Sequence, residues 1–124
     1  MNFMNIKRIL FVEDDDTLAF IISKKIEYLG YKITICKNGK DAIQNLSSPL
    51  RFDLVISDNI LPYYSGIEIL KYIRQDLNSN IPFILISFDS SIYLKETFYK
   101  SKGTSFINKP FDFELLLKAI QDSN

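Results

Sequence analysis

The chain has 124 residues, 47% hydrophobic and 24% charged, the size and balance of one globular domain with a real core. Its 15 basic residues equal its 15 acidic ones, so the basic excess of a nucleic-acid-binding domain is missing. Without histidine it lacks the commonest general base and transition-metal ligand, and with one cysteine, Cys36, it has no internal disulfide.

No apolar run approaches the ~18 residues of a membrane span, and the N-terminus carries no signal-peptide pattern. A cytoplasmic protein with no nucleic-acid or membrane contact is expected, with Cys36 as a small buried residue. Any metal should be a hard cation held by oxygen.

Along the chain, short β-rich runs alternate with helical stripes. The first run, Arg8–Val12, is followed by Leu18, Ile22, Ile26 and Leu29 at helical spacing, with Gly30 as a stop. Asp16 is expected to cap this helix and Asp15 to be a solvated loop residue. The second run, Lys32–Cys36, precedes a short stripe of Ala42, Ile43 and Leu46. The third, Leu54–Ser57, precedes Ile67, Ile69, Leu70 and Ile73. The fourth, Phe83–Ser87, leads to a weaker helix from about Ser91 to Ser101. The fifth, Ser105–Asn108, is followed by Phe113, Leu116, Leu117 and Ile120, with Asp112 placed as cap. The apolar runs "ILFV", "LVI" and "FILI" do not alternate, so these strands are covered on both faces. Five β-α units predict a doubly wound α/β fold, flavodoxin-like, with a five-stranded parallel sheet in the order 2-1-3-4-5. All 124 residues are expected to form one domain, with a core over about 6–122.

In such a sheet, function sits outside the carboxyl ends of the strands. Those ends are Glu13-Asp14, Asp58, Ser87 and Lys109-Pro110. Two carboxylates ~4 Å apart repel by about 4 kcal/mol, enough to raise one pKa by about three. Three together would lose charge or bind a divalent cation, and all-oxygen ligands favour Mg²⁺, with Mn²⁺ also possible. Mg²⁺ and Lys109 both neutralise anionic oxygens, and Ser87 can donate a hydrogen bond to a third. That equipment suits phosphoryl transfer, with Asp58 itself as nucleophile.

The motifs "FVEDD", "VISDNILPYYSG", "LIS" and "FINKPF" resemble, in order and spacing, the receiver domain of two-component response regulators. The resemblance covers residues 6 to 122. It implies Asp58 as phosphoacceptor, Asp14 as a direct Mg²⁺ ligand and Glu13 as a ligand through water. The backbone carbonyl of Ile60 would be a further ligand. It further implies Ser87 as switch hydroxyl, Lys109 before a cis proline, and Phe106 as an aromatic that packs inward when Ser87 moves. Pro62 and Gly66 match the loop into the third helix. The implied donor is a histidine kinase or histidine phosphotransfer protein. The implied output passes to a downstream protein target or a C-terminal output domain beyond residue 122. The domain would catalyse its own phosphorylation and dephosphorylation without being a turnover enzyme.

Three positions depart from the family pattern. Phe88 stands where a small residue is usual, Ile60 places an apolar side chain near the acceptor, and Lys102 replaces a frequent glycine. An acidic pair that often precedes the aromatic, and serves one mode of dimerisation, is also missing. The acidic loop after the first strand would repel a flavin phosphate, which argues against a flavodoxin. Ile60 occupies the place of the second aspartate that a phosphatase would need. The remaining alternative is an inactive receiver-like module that binds partners without phosphorylation.

Overall fold

A computed structural model describes residues 6–124; the N-terminal part of the one-domain reading and the signal-peptide reading, on residues 1–5, lie outside the described residues. Five strands, β1 (Arg8–Val12), β2 (Lys32–Cys36), β3 (Leu54–Asp58), β4 (Phe83–Ser87) and β5 (Ser105–Asn108), form one parallel sheet in the order β2-β1-β3-β4-β5. The helices are α1 (Asp16–Tyr28), α2 (Gly39–Leu46), α3 (Gly66–Lys71), α4 (Ile92–Lys100) and α5 (Phe113–Asp122). The predicted fold class and strand order are those observed. β3 runs one residue further than the sequence pattern implied, taking Asp58 into the ladder opposite Ile86.

Strand residues divide between two cores by parity. Ile9, Phe11, Leu54, Ile56, Ile84 and Ile86 pack with Ile22 and Ile26 of α1 and Leu116 and Ile120 of α5. Leu10, Val12, Val55, Phe83 and Leu85 pack with Ile69 and Leu70 of α3 and Leu94 and Phe98 of α4. Successive side chains of a strand point to opposite faces, so a strand buried on both sides reads as an unbroken apolar run. Burying each such side chain stabilises by about 1.5–3 kcal/mol before entropy is counted. The second strand is at the sheet edge and is mostly open, except Cys36, which is buried as expected.

Two local expectations for the first helix are corrected. Its N-cap is Asp15, whose Oδ1 accepts from Leu18 N at 3.0 Å. Asp16 is the first helical residue and pairs with Lys37 at 2.8 Å on the surface. Leu29 lies beyond the helix as its C-cap and is exposed; Ala19 and Ser23 complete the buried stripe instead. Gly30 does follow as the stop, at φ +101, which favours a residue without Cβ.

The third helix continues as a π-helical turn, Tyr72–Asp76, that periodicity did not foresee. Arg74 in this turn donates from Nη1 to Ser79 O at 2.8 Å and from Nη2 to Lys102 O at 3.0 Å. Its Nε is buried without a partner among the described residues. The guanidinium thus ties the α3–β4 connection to the α4–β5 turn. Arg74→Ala leaves both carbonyls without this donor and should lower unfolding stability by about 1–3 kcal/mol in urea denaturation. Arg74→Lys keeps the charge but not the fork and should fall between the two; a neutral Arg74→Ala would mean that the clamp does not hold these turns.

Candidate functional site

Register brings the site together. Val12 pairs with Ser57, so Glu13 comes level with Asp58. Asp58 pairs with Ile86, one residue before Ser87, and Ser87 pairs with Asn108, one before Lys109. The chemical groups at four strand ends therefore line up along one sheet edge. Backbone bonds hold the ends in place: Glu13 N donates to Cys36 O at 2.9 Å, Asn59 N to Ile86 O at 3.0 Å, and Lys109 N to Ser87 O at 2.9 Å.

Glu13, Asp14 and Asp58 each offer an oxygen, and these three atoms lie within 4.8 Å of one another. Glu13 and Asp58 are buried and Asp14 is exposed. Lys109 Nζ lies 2.8 Å from Asp58 Oδ1 and 3.4 Å from Glu13 Oε1. The contact with Asp58 is a close ion pair, but its angles are not those of a directed hydrogen bond, and Asp58 Oδ1 has no such bond. Three carboxylates against one ammonium leave a negative excess when all are ionised.

Burial, and then the neighbouring Asp58 carboxylate, push the Glu13 carboxyl from its ordinary 4.5 up to about 7; the Asp15 N–H and Lys109 pull the other way. Burial is the largest cause, ahead of the carboxylate repulsion emphasised from sequence alone. For Lys109, burial lowers the pKa, but Asp58 and Glu13 together outweigh it and the net direction is up. A buried carboxylate paired with a single ammonium, a second carboxyl resisting ionisation and a third open to solvent form an all-oxygen donor set. Such a set fits a hard divalent cation that keeps some of its water.

Around these groups is a cleft of about 310 Å³ lined by Asp14, Asp58, Ile60, Ser87, Phe88 and Lys109, among others. Ile60 and Phe88 are exposed at its mouth, at 79% and 75%. Ser87 is buried, and its Oγ accepts from Asp89 N at 3.0 Å, so the hydroxyl is engaged with its own loop. Phe106 is not brought to the cleft. It is partly buried against the second core, edge-on to Phe98 with centroids 5.7 Å apart and with Lys95 Nζ 5.6 Å from its ring centroid. The peptide bond before Pro110 is cis, as the resemblance implied.

Asn59 was missed from sequence. Its carbonyl accepts from Gly66 N at 2.9 Å, its Oδ1 accepts from Ile67 N at 3.2 Å, and it lines the cleft. An Asn directly after a strand, seven residues before a glycine, was the available signal. Gly66 itself approaches so closely that a Cβ would fall on the Asp58 carbonyl oxygen and the Leu85 side chain. The start of α3 is thereby pressed against the backbone that carries Asp58.

The chain thus has the doubly wound α/β architecture with an acidic cleft at its switch point. The family model described as the response regulator receiver domain matches residues 9–121. Among curated relatives, the response regulator ArlR of Staphylococcus saprophyticus is 36% identical over 114 residues, covering 92% of this chain and 50% of the relative. The Bacillus subtilis protein named as the uncharacterized transcriptional regulatory protein YkoG is 34% identical over 113 residues, covering 91% and 49%. Among solved structures, the chemotaxis response regulator CheY4 of Vibrio cholerae superposes with a TM-score of 0.86 at 26% identity, covering 97% of this chain and 100% of that one. The receiver domain of the Francisella response regulator 1452 gives 0.86 at 29% identity, covering 94% of each. The chain belongs to the response regulator receiver domain family of two-component signalling. It spans about half the length of the curated relatives it matches.

Because Glu13 titrates near 7 in the folded chain and near 4.5 ordinarily, the folded state holds more protons between those values. The contribution of Glu13 is therefore fully present below about pH 4.5 and is lost as pH rises through about 7. In thermal melts without divalent cations, Glu13→Gln should flatten this decline. At about pH 7.5 the variant should be the more stable protein, by at most about 3 kcal/mol. Parallel pH profiles for the two proteins would show that the buried charge is not on Glu13.

Proposed function

We propose that this chain is a phosphoacceptor: Asp58 takes a phosphoryl group from a phosphohistidine of a partner kinase or phosphotransfer protein, with Mg²⁺ or Mn²⁺ bound at Glu13, Asp14, Asp58 and the Ile60 carbonyl. The observation that carries this reading is the meeting of Asp58 with Lys109 at 2.8 Å inside the acidic cluster. A carboxylate oxygen of Asp58 attacks phosphorus, the phosphorus–nitrogen bond of the donor breaks, and the imidazole leaves with the bonding pair and takes up a proton. A cation held by Glu13, Asp14 and Asp58 would supply charge screening between the attacking carboxylate and the incoming dianion. Lys109 orients and neutralises phosphoryl oxygens, and Ser87 exchanges its bond with Asp89 N for one to the phosphoryl group.

The modified Asp58 carries added charge and three acceptor oxygens. Drawing Ser87 and Lys109 toward them shifts the β4 and β5 ends, and Phe106 follows into the space Ser87 leaves. A change from 1:99 to 99:1 between two packings needs about 5.5 kcal/mol of differential stabilisation, which several charge-assisted contacts supply. The output is a changed face for a downstream protein target or an attached output domain, in the cytoplasm. No helix among the described residues is long and apolar enough to cross a membrane.

Incubation with acetyl phosphate and Mg²⁺ should raise the intact mass by one phosphoryl group. Asp58→Asn, or chelation of the cation, should abolish the gain. Phe88 at the cleft mouth favours one other reading, an interaction module that signals without phosphorylation. Its signature would be no mass gain under any donor together with undiminished partner binding by Asp58→Asn.

Water must reach phosphorus opposite the Asp58 oxygen for the acyl phosphate to hydrolyse, and the exposed Ile60 side chain at the cleft offers that water no hydrogen bond. Ile60→Asn should shorten the lifetime of the phosphorylated state, followed by phosphate release. An unchanged lifetime would show that Ile60 does not limit water entry.

A further inference from the structure

The Lys109 ammonium has two kinds of neighbour. On one side are the oxygens of Asp58 and Glu13, at 2.8 and 3.4 Å. On another is the ring of Phe88, whose centroid lies 5.4 Å from Nζ, within cation–π range. The lysine side chain is 13% exposed, and the ring stands beside its ammonium at the mouth of the cleft. Phe88 is itself 75% exposed and wants packing, which makes its contact with the lysine one of its few anchors. It also lines both the acidic cleft and a neighbouring, mostly apolar groove that includes Leu18, Ile21, Phe111 and Phe113. Its ring is thus the wall between the place of chemistry and an apolar surface.

Resting on the proposed phosphoacceptor role, we propose that Phe88 is a specificity-determining residue that holds small phosphoryl donors back by occupying the open face of the Lys109 ammonium. A donor dianion needs that ammonium, and it must turn the ring aside to reach it. A small, fully hydrated donor recovers nothing for the lost ring–cation contact. A macromolecular donor with apolar surface recovers it by burying the displaced ring. Phe88 acts through Lys109 and does not touch the reacting atoms, so it is a positioning residue rather than a catalytic one.

The test measures the initial rate of Asp58 phosphorylation against acetyl phosphate concentration at saturating Mg²⁺, in the wild type, Phe88→Ala, Phe88→Leu and Phe88→Tyr. Removing the ring should raise the slope about two- to fivefold, the factor carried by a cation–π contact at an exposed site. Phe88→Leu, which keeps apolar bulk without a π face, should rise with Phe88→Ala; Phe88→Tyr should stay with the wild type. In NMR spectra, the Lys109 εCH₂ protons should move downfield in Phe88→Leu as the ring current is lost, a readout that general loosening of the fold does not mimic. Equal slopes for the wild type and Phe88→Ala, or Phe88→Leu remaining with the wild type, would overturn the role of the ring face. Absence of Asp58-dependent labelling in every variant would instead overturn the phosphoacceptor reading beneath it. Because Phe88 is exposed, all three variants should keep the wild-type thermal midpoint, and a melt on each confirms that the rates compare folded proteins.

Discussion

The contact of Lys109 with Asp58 and Glu13 joins the end of β5 to the ends of β3 and β1, across the edge where the sheet would otherwise collect uncompensated negative charge. A buried ion pair of this kind is a poor source of stability, because desolvation consumes most of the Coulombic gain. Replacing such a pair by well-packed apolar residues is often neutral or stabilising. What the pair provides is a defined, incompletely neutralised pocket. One ammonium cannot neutralise three carboxylates, and Glu13, buried beside Asp58, resists ionisation. The cluster is left with an unmet demand for positive charge, and a cation arriving there would improve the electrostatics of the whole edge.

The scaffold can carry this cost because everything behind the edge is apolar and rigid. β3 and β4 are buried along their full length, and two separate cores clamp the sheet from either side. The acids and the lysine sit on strand ends rather than in long loops, so their separations are set by ladder register. Such placement preorganises a site more accurately than loops alone. The Asn59 bonds to Gly66 and Ile67, and the close approach of Gly66 to the Asp58 backbone, extend the same rigidity to the start of α3.

What was legible in the sequence follows from which physics is local. The strands of this chain are short apolar runs, and a parallel sheet buried on both faces writes itself as such runs; hence the element order, the strand order and the convergence of strand ends could be read directly. The cap of α1 could not. Three consecutive aspartates offer the same carboxylate at three positions, and only the backbone angle of Asp15, extended where Asp16 is helical, decides among them. Leu29 fits the stripe by spacing, but the helix ends before it. The π-helical turn was invisible because Arg74 in it bonds the carbonyls of Ser79, in the following loop, and of Lys102, far along the chain, contacts that periodicity does not register. Likewise nothing in "ISFDS" announces that the phenylalanine ring meets Lys109, since the two approach only across the β4–β5 ends.

The site divides into a part that is held and a part that is free to rearrange. Glu13 and Asp58 are buried and fixed by β1 and β3, and Asp15 N donates to Glu13 Oε2 at 3.2 Å, locking the acid to the start of α1. By contrast, the Ser87 hydroxyl is committed only to the N–H of Asp89, two residues away in an exposed turn, and the Phe88 ring between them is open to solvent. Asp89 Oδ1 in turn accepts from Ser91 N at 2.8 Å, at the cap of α4. A pull on Ser87 therefore reaches the start of α4 through two short hydrogen bonds, while a pull on Glu13 or Asp58 meets the packed sheet. Ser87 O also accepts from Lys109 N, so the two groups that would move are joined directly to each other by backbone. Charge added at Asp58 would accordingly be answered on the β4–α4 side of the molecule. That direction of response is a property of which hydrogen bonds are local and which belong to the sheet.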